Sequence, residues 1–411
     1  MSFKHFFIIV IFLSNFKSFA SDLYVNSSGA SGTYTTLSSA LTSASDGDRI
    51  IISTLMNLIE NVTIDKSVTI TSAASGSSFV LNGTMTIEAN SGKEVRIIGG
   101  DISTLAFTNG TGTDASPCKF YLVDSDLSNN INASPSGLSI NILYCNMPTI
   151  DAKFKFGSII GSFLRSFALK SGTGTAQNDT TKIIANKFTY TCEVKNEDHN
   201  YLIANNYFDY SSSFQLYISY NKPANSGWNN IINNTFRRSS GYSAYANNLY
   251  FTNSNFSNIN LFNNYFYHNY NNSSTYYNSH IGYNSLSTNN QPSLLYNVFV
   301  SPNSNNNGPY WNTALRNTNN NQSVTISGNT INTTDGRVTA GAGINDGNTG
   351  INYYDINMTR NDVGTYGGPY SWDNYHDATS TGKARVFNLD MPFEIWMGQT
   401  PTIKADAVHK K

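Results

Sequence analysis

The densest group of reactive side chains in the 411-residue chain runs from Glu193 through Lys195, Glu197 and Asp198 to His199. Elimination across a uronate sugar needs a base at C5 and a cation or hydrogen-bond donor that neutralises the adjacent carboxylate. Lys195, Glu193 and His199 are the catalytic candidates for that chemistry, with a lysine or a tyrosine as the base. Carboxylates of the same group could hold Ca²⁺. A short charge run with no partnering motif is more often a solvated loop, and that alternative stands beside the catalytic one.

Alternation of Glu193 and Lys195 with Cys192 and Val194 predicts a strand with the charged pair outward and the other pair inward. The following turns offer Gln215, Tyr217, Tyr250, His280, Tyr283 and Trp311 as substrate-binding candidates on the same outer face. Tyrosine and tryptophan carry an apolar face and a polar tip, which suits stacking on a sugar ring. The expected partner is therefore a polysaccharide or cell-surface glycan. The alternative is that these aromatics only shield sheet edges. Arg237-Arg238 reads as a solvated pair.

These side chains need a scaffold, and the sequence repeats in a way that supplies one. A small or Asn residue recurs at Gly100, Ser125, Cys145, Gly161, Asn186, Asn206, Asn234, Asn264, Asn297 and Asn329. Two places on stand Ile102, Leu127, Met147, Phe163, Phe188, Phe208, Phe236, Phe266, Phe299 and Ile331. Three places before stand Ile97, Leu122, Ile142, Ser158, Ile183, Ile203, Ile231, Leu261, Leu294 and Ile326. Repeats of roughly 16 to 33 residues fall in the range of solenoids. Rungs stacked about 4.8 Å apart place equivalent residues above one another. Asn suits the bend because it tolerates left-handed angles and can hydrogen-bond to its copy in the next rung. The step from Cys145 to Gly161 is short for a full turn and Ser158 interrupts the aliphatic column, so this is the weakest rung.

The pattern predicts an all-β chain, a right-handed parallel β-helix with a short N-terminal capping helix. Leu37, Ala40, Leu41 and Ala44 recur at helical spacing after Thr35 or Thr36, between the strands Asp22–Val25 and Arg49–Ser53. A helix there would cover the first rung, whose apolar cross-section and unpaired backbone need a lid. From about Ser211 the rungs lengthen on one side. Inserted loops on one face of a solenoid often carry its binding function, which confines the expected site to the turns between Cys192 and Arg316.

Residues 1–20 read as a signal peptide, with Lys4 and His5 ahead of the apolar run Phe6–Leu13 and cleavage near Ala20. Residues 21–53 form the cap and first strand, 54–370 the β-helix, and 371–411 a tail packing on or beyond the last rung. Secretion to the exterior or the cell surface is the expectation, with no membrane span in the mature chain and a monomeric state. A net charge of −1 with only 12% charged residues gives no electrostatic case for nucleic acid. Cys118, Cys145 and Cys192 lack metal or disulfide spacing and read as core thiols.

Tyr34-Thr-Thr-Leu37, Ala44-Ser-Asp-Gly-Asp48-Arg-Ile-Ile, Glu60-Asn-Val-Thr-Ile64 and Lys66-Ser-Val-Thr-Ile70 together resemble the opening of pectate-lyase-like β-helix proteins. Ile344-Asn-Asp-Gly347, Asp355-Ile-Asn357, Arg360 and Asp362-Val-Gly-Thr-Tyr-Gly-Gly368 resemble the closing rung of choice-of-anchor-type secreted bacterial β-helix proteins. The segment from His199 to Phe208 is similar to rungs of the alginate lyase and chondroitinase B family. The resemblance implies the β-helix fold and points to polysaccharides. The paired aspartates of β-helix polygalacturonases, the Arg-rich motif of pectate lyases and the pectin esterase motif have no counterpart here. The expected function is polysaccharide binding, with lyase-type elimination as the chemistry if the protein is an enzyme. The alternative is a non-catalytic, adhesin-like or structural surface solenoid.

Overall fold

The computed structural model describes residues 20–376, 384–390 and 404–409, except 55, 75–76, 114, 136, 155, 172–179, 196–199, 212–213, 220–228, 239–246, 253–257, 270–279, 284–291, 303–319 and 356. The expected signal peptide falls outside them, apart from Ala20. The chain is a parallel β-helix. One wall is a 13-stranded sheet in which each new turn adds a strand, ending at Ser293–Leu295. The other strands from Asn57–Leu58 to Gln322–Thr325 stack in the same rung order to form the other walls.

The aliphatic column is real and continuous. Ile97, Leu122, Ile142, Ile159, Ile183, Ile203, Ile231, Leu261 and Leu294 pair in successive registers and are all buried. Beside it the rings of Phe208 and Phe236 stack at 4.7 Å, Phe236 and Phe266 at 4.9 Å, and Phe266 and Phe299 at 5.0 Å. Identical flat side chains repeated at rung spacing can stack in parallel, which packs the interior closely.

At the weak rung the expected register is corrected by one residue. Ile159, not Ser158, continues the aliphatic column, and Leu164 rather than Phe163 pairs with Met147. Phe163 faces outward and is 44% exposed. The reason lies in the bend. The left-handed residue of each rung is the one before the ladder position: Gly99, Asp124, Tyr144, Gly161, Ala185, Asn205, Asn233, Asn263 and Tyr296, with φ between 52° and 72°. Gly161 belongs to this bend column. A Cβ there would lie 2.6 Å from the Tyr144 ring, so close packing as well as φ favours glycine.

The ladder Asn residues therefore serve hydrogen bonding, not backbone strain. The Asn206 amide oxygen accepts from the backbone N–H and the side-chain N–H of Asn186, both at 3.0 Å. Asn206 makes the same pair of bonds to Asn234, Asn234 to Asn264, and Asn264 to Asn297. Each Asn also donates to a carbonyl of the preceding rung, as Asn234 does to Ile203 at 2.8 Å. The ladder ends at Asn321, which accepts from Asn297 at 2.9 Å, and not at the expected Asn329.

Rungs stop at Gln322–Thr325, and the expected closing rung is instead a strap that turns back along the outside of the bend. Thr330–Ile331 pairs antiparallel with Val338–Ala340. Beyond it, Asn205 donates to the Thr365 and Gly367 carbonyls at 3.0 and 2.6 Å, and Asn233 to Asn361 and Asp362 at 2.9 and 2.8 Å. The Asn263 oxygen accepts from the Asn348 N–H at 2.9 Å. Paired asparagines such as Asn233-Asn234 thus divide their work. The first holds the strap outside and the second holds the ladder inside. Val363 packs with Tyr265 and Val298, and Trp372 and Tyr375 with Tyr207 and Ile184. Ala384–Asp390 and Lys404–His409 pair antiparallel with each other.

At the other end the helix Leu37–Ser43 buries Leu37 and Ala40. Thr36 is its N-cap, the Glu60 carboxylate accepts from the Leu37 and Ser38 N–H groups, and Lys66 donates to the Leu41 and Ala44 carbonyls. A seven-residue helix is too short to persist alone, and these two side chains from the second rung satisfy both of its ends. The three cysteines are buried, and desolvation raises the Cys145 thiol to about 12, so they are core thiols.

Candidate functional site

Three short strands, Cys192–Lys195, Leu216–Ile218 and Leu249–Phe251, lie side by side with Ile281–Tyr283 after them. Cys192 and Val194 are buried, as alternation requires. Glu193, Tyr217, Tyr250 and Gly282 occupy one outward register column. Lys195 bonds to the Glu193 carboxylate at 2.9 Å. As a base, Lys195 would have to leave that carboxylate.

The aromatic part of this strip is a compact platform. Phe214 stacks on Tyr250 at 4.2 Å, and the Tyr217 and Tyr250 rings are near-parallel at 5.9 Å. Burial, then the neighbouring Tyr217, raises the Tyr250 phenol above its ordinary value. Gly282 makes room for this ring and for Asn247, because a Cβ there would lie 2.2 Å from Asn247 Oδ1 and 2.8 Å from Tyr250 Cδ2. Phe214 is absent from the sequence-based set. It sits two residues before its strand, at the bend, where alternation carries no signal.

Two predicted outward residues are corrected. Gln215 and His280 are fully buried. Each directly precedes its strand, where the chain turns the corner and the side chain points inward. With Asn248 they form a second ladder. Gln215 donates to the Phe208 and Tyr210 carbonyls at 3.1 and 2.8 Å, and Asn248 donates to the Gln215 oxygen at 2.6 Å. The Asn248 oxygen accepts from His268 Nε2 at 2.5 Å and from His280 Nδ1 at 3.0 Å. Tyr283 pairs with Phe251, in the column of buried Ile218 and Phe251 rather than that of Tyr250. Its side chain, with His199, Glu197, Asp198 and Trp311, lies outside what the structure describes.

Arg237-Arg238 is not a solvated pair either. Arg237 bonds to Asp209 at 2.8 Å, and Arg238 is 5% exposed with its guanidinium on the Ser211 carbonyl at 3.1 Å. Ser301 Oγ lies 3.3 Å from His280 Nε2, so Ser301, His280 and Asn248 have the order of a hydrolytic relay. Ser301 is only 3% exposed, and burial, followed by Arg238, depresses His280 to about 3. A base that weak inside a packed corner is a structural link. Among the described residues no group of three or more His, Cys, Asp or Glu side chains could hold a metal ion. No helix among them is long and apolar enough to cross a membrane.

The histidine pair carries a pH prediction. Both folded-state values lie below the ordinary 6.5, His268 chiefly through burial and then through His280 and Arg238. The fold therefore holds both rings neutral. Their contribution is present above pH 6.5 and is lost as pH falls toward about 3 for His280. Asp355 in the strap, raised to about 6 by burial, acts in the opposite sense and favours the fold as pH falls from 6 to 3.8. Comparison of wild type with His280→Gln cancels the strap. Urea denaturation should show the wild type losing about 1.4 kcal/mol per pH unit relative to the variant between pH 6 and 4. Parallel stability profiles would overturn this.

The chain matches no known protein family and no curated protein.

Proposed function

We propose that this protein is a secreted β-helix of the pectate-lyase-like kind that binds a polysaccharide through the strip at Tyr217 and Tyr250. The observation that carries this reading is the in-register pair Tyr217 and Tyr250, with Phe214 stacked on Tyr250, beside the Glu193–Lys195 pair. The row of three rings offers apolar surface at its outer side, and an ion pair at its edge offers donors and acceptors for hydroxyls. Sugar rings need both. The Phe6–Leu13 segment supports export. Elimination is the chemistry this strip would perform, with Lys195 or Tyr217 as base; with Tyr217 as the base, the Lys195 ammonium would neutralise the uronate carboxylate.

Binding to a glycan panel should weaken about tenfold in Tyr250→Ala, the order of one lost aromatic contact. Thermal unfolding close to that of wild type would show that the loss is local. Retained affinity for every glycan in both Tyr217→Ala and Tyr250→Ala would refute the strip. Unsaturated product, followed by its absorbance with uronate glycans and lost in Lys195→Ala, would support elimination. Binding without product would leave a binding protein.

A further inference from the structure

The described outer surface carries a concavity apart from the tyrosine strip, on a different wall and on rungs before Tyr217 and Tyr250. It is an open groove of about 520 Å³, lined by Pro148, Phe163, Arg165, Lys187, Thr189 and Thr334 among others. None of its lining residues is acidic. Thr334 belongs to the strap, so the groove lies where the strap meets the solenoid wall. We infer that it is a separate site for a sugar unit bearing negative charge, carboxylate or sulfate, with the strap as one of its sides. The inference rests on the glycan-binding reading above and adds a site and a charge preference to it.

Three observations converge. Phe163 is a 44% exposed phenylalanine, yet its ring is held in place. His376 lies 5.3 Å from it, and Trp372 stacks on His376 at 4.0 Å. A large apolar ring fixed at the surface loses little freedom when a sugar stacks on it. The two cations beside it lack a neutralising partner among the described residues. The Lys187 ammonium donates to the Thr334 carbonyl at 2.8 Å and lies 5.3 Å from the Tyr207 ring, and the Arg165 guanidinium lies 4.5 Å over the Tyr190 ring. Neither contact supplies an anion. By contrast, Arg237, further along the same walls, has Asp209 at 2.8 Å.

The geometry also explains why both cations are kept in place rather than left mobile. Lys187 is tethered by the strap and Arg165 lies over a tyrosine ring, a contact that uses none of the guanidinium N–H donors a fork to an anionic oxygen pair would need. A neutral sugar would use the ring alone. An anionic one would use the ring and both charges.

Titration calorimetry on the full chain would test this with three probes: oligogalacturonate, a heparin-derived sulfated oligosaccharide and a neutral cello-oligosaccharide. The double variant Arg165→Gln with Lys187→Gln should weaken binding of a charged probe at least about tenfold, the scale of a charge-assisted contact. Neutral-probe affinity should change less than about twofold, the near-neutral outcome of a surface substitution. The two charged arms identify whether carboxylate or sulfate is preferred. Unchanged charged-probe affinity in this variant, with loss in Tyr250→Ala, would overturn the groove and leave the proposed function standing. A wild type that binds only the neutral probe would do the same. No binding of any probe would remove both.

Discussion

Replacing Asn234 by alanine should destabilise the solenoid by on the order of 4 kcal/mol, measured as a shift in urea midpoint at constant slope. The Asn234 oxygen accepts two bonds from Asn206, at 2.9 and 3.0 Å, and its amide donates to the Ile203 carbonyl at 2.8 Å and to Asn264 at 3.0 Å. All of these groups are buried, so after truncation only a water drawn from bulk into the vacated interior space could meet them. An orphaned buried donor or acceptor costs about 1–3 kcal/mol, and the truncation creates several at once. Asn230 is the control. It accepts from Asn260 at 2.9 Å in an outer, part-buried pair of the same chemistry. Asn230→Ala should fall within about 0.5 kcal/mol of wild type, because solvent can replace its partner. Equal losses at the two positions would show that ladder bonding inside the bend has no special weight.

The same contrast explains what could be read from the residues alone. From Asn186 onward the interior repeats in kind, Asn over Asn and Phe over Phe, so the columns are visible in the chain. Before it the ladder position is filled by Gly100, Ser125, Cys145 and Ser162, which share only small size. The Ser125 and Ser162 hydroxyls replace the amide there, accepting from the Gly100 and Cys145 N–H groups at 3.0 Å each. The left-handed column mixes Gly, Asp, Tyr, Ala and Asn, since φ is imposed by the bend and not by one residue type. That mixture hid the true place of Gly161.

The site was legible where a strand set the direction of its side chains and illegible at the corners. Glu193, Tyr217 and Tyr250 came out in one column because each stands in a strand with buried neighbours on either side. Gln215 and His280 stand one residue ahead of theirs, where the period of two has not yet begun. The strap was beyond reach for another reason. Its bonds join residues as distant as Asn205 and Thr365, and no periodicity reports a contact across 160 positions. The doubled Asn is visible in the chain, and the strap accounts for its outer member.

That outer row makes Gly367→Ala the second large effect. Gly367 closes a turn on Gly364 at 3.1 Å, and its carbonyl accepts from Asn205 at 2.6 Å. A Cβ built there would lie 1.7 Å from the Asp362 carbonyl oxygen and 2.3 Å from Asn233 Nδ2. These two atoms bond to each other at 2.8 Å and fasten the strap to the solenoid. One of the obstacles is backbone, so relief requires the strap to move, and the movement separates Asn233 from Asp362 and Asn205 from Gly367 together. Docking should weaken by about 3 kcal/mol or more, the range of backbone clashes that also break buried bonds. Hydrogen exchange should then show residues 329–376 losing protection while the Ile183–Leu294 column keeps it. Gly328→Ala sets the baseline. Its φ is +78° but nothing lies within 4 Å of a Cβ, so it should show only the left-handed penalty of about 1–2 kcal/mol. Since Thr334 and Lys187 meet in the groove, Gly367→Ala should also weaken the charged-glycan binding inferred there without touching Tyr217 or Tyr250. Full protection of the strap in Gly367→Ala would mean that it is not seated through Asn233 and Asn205.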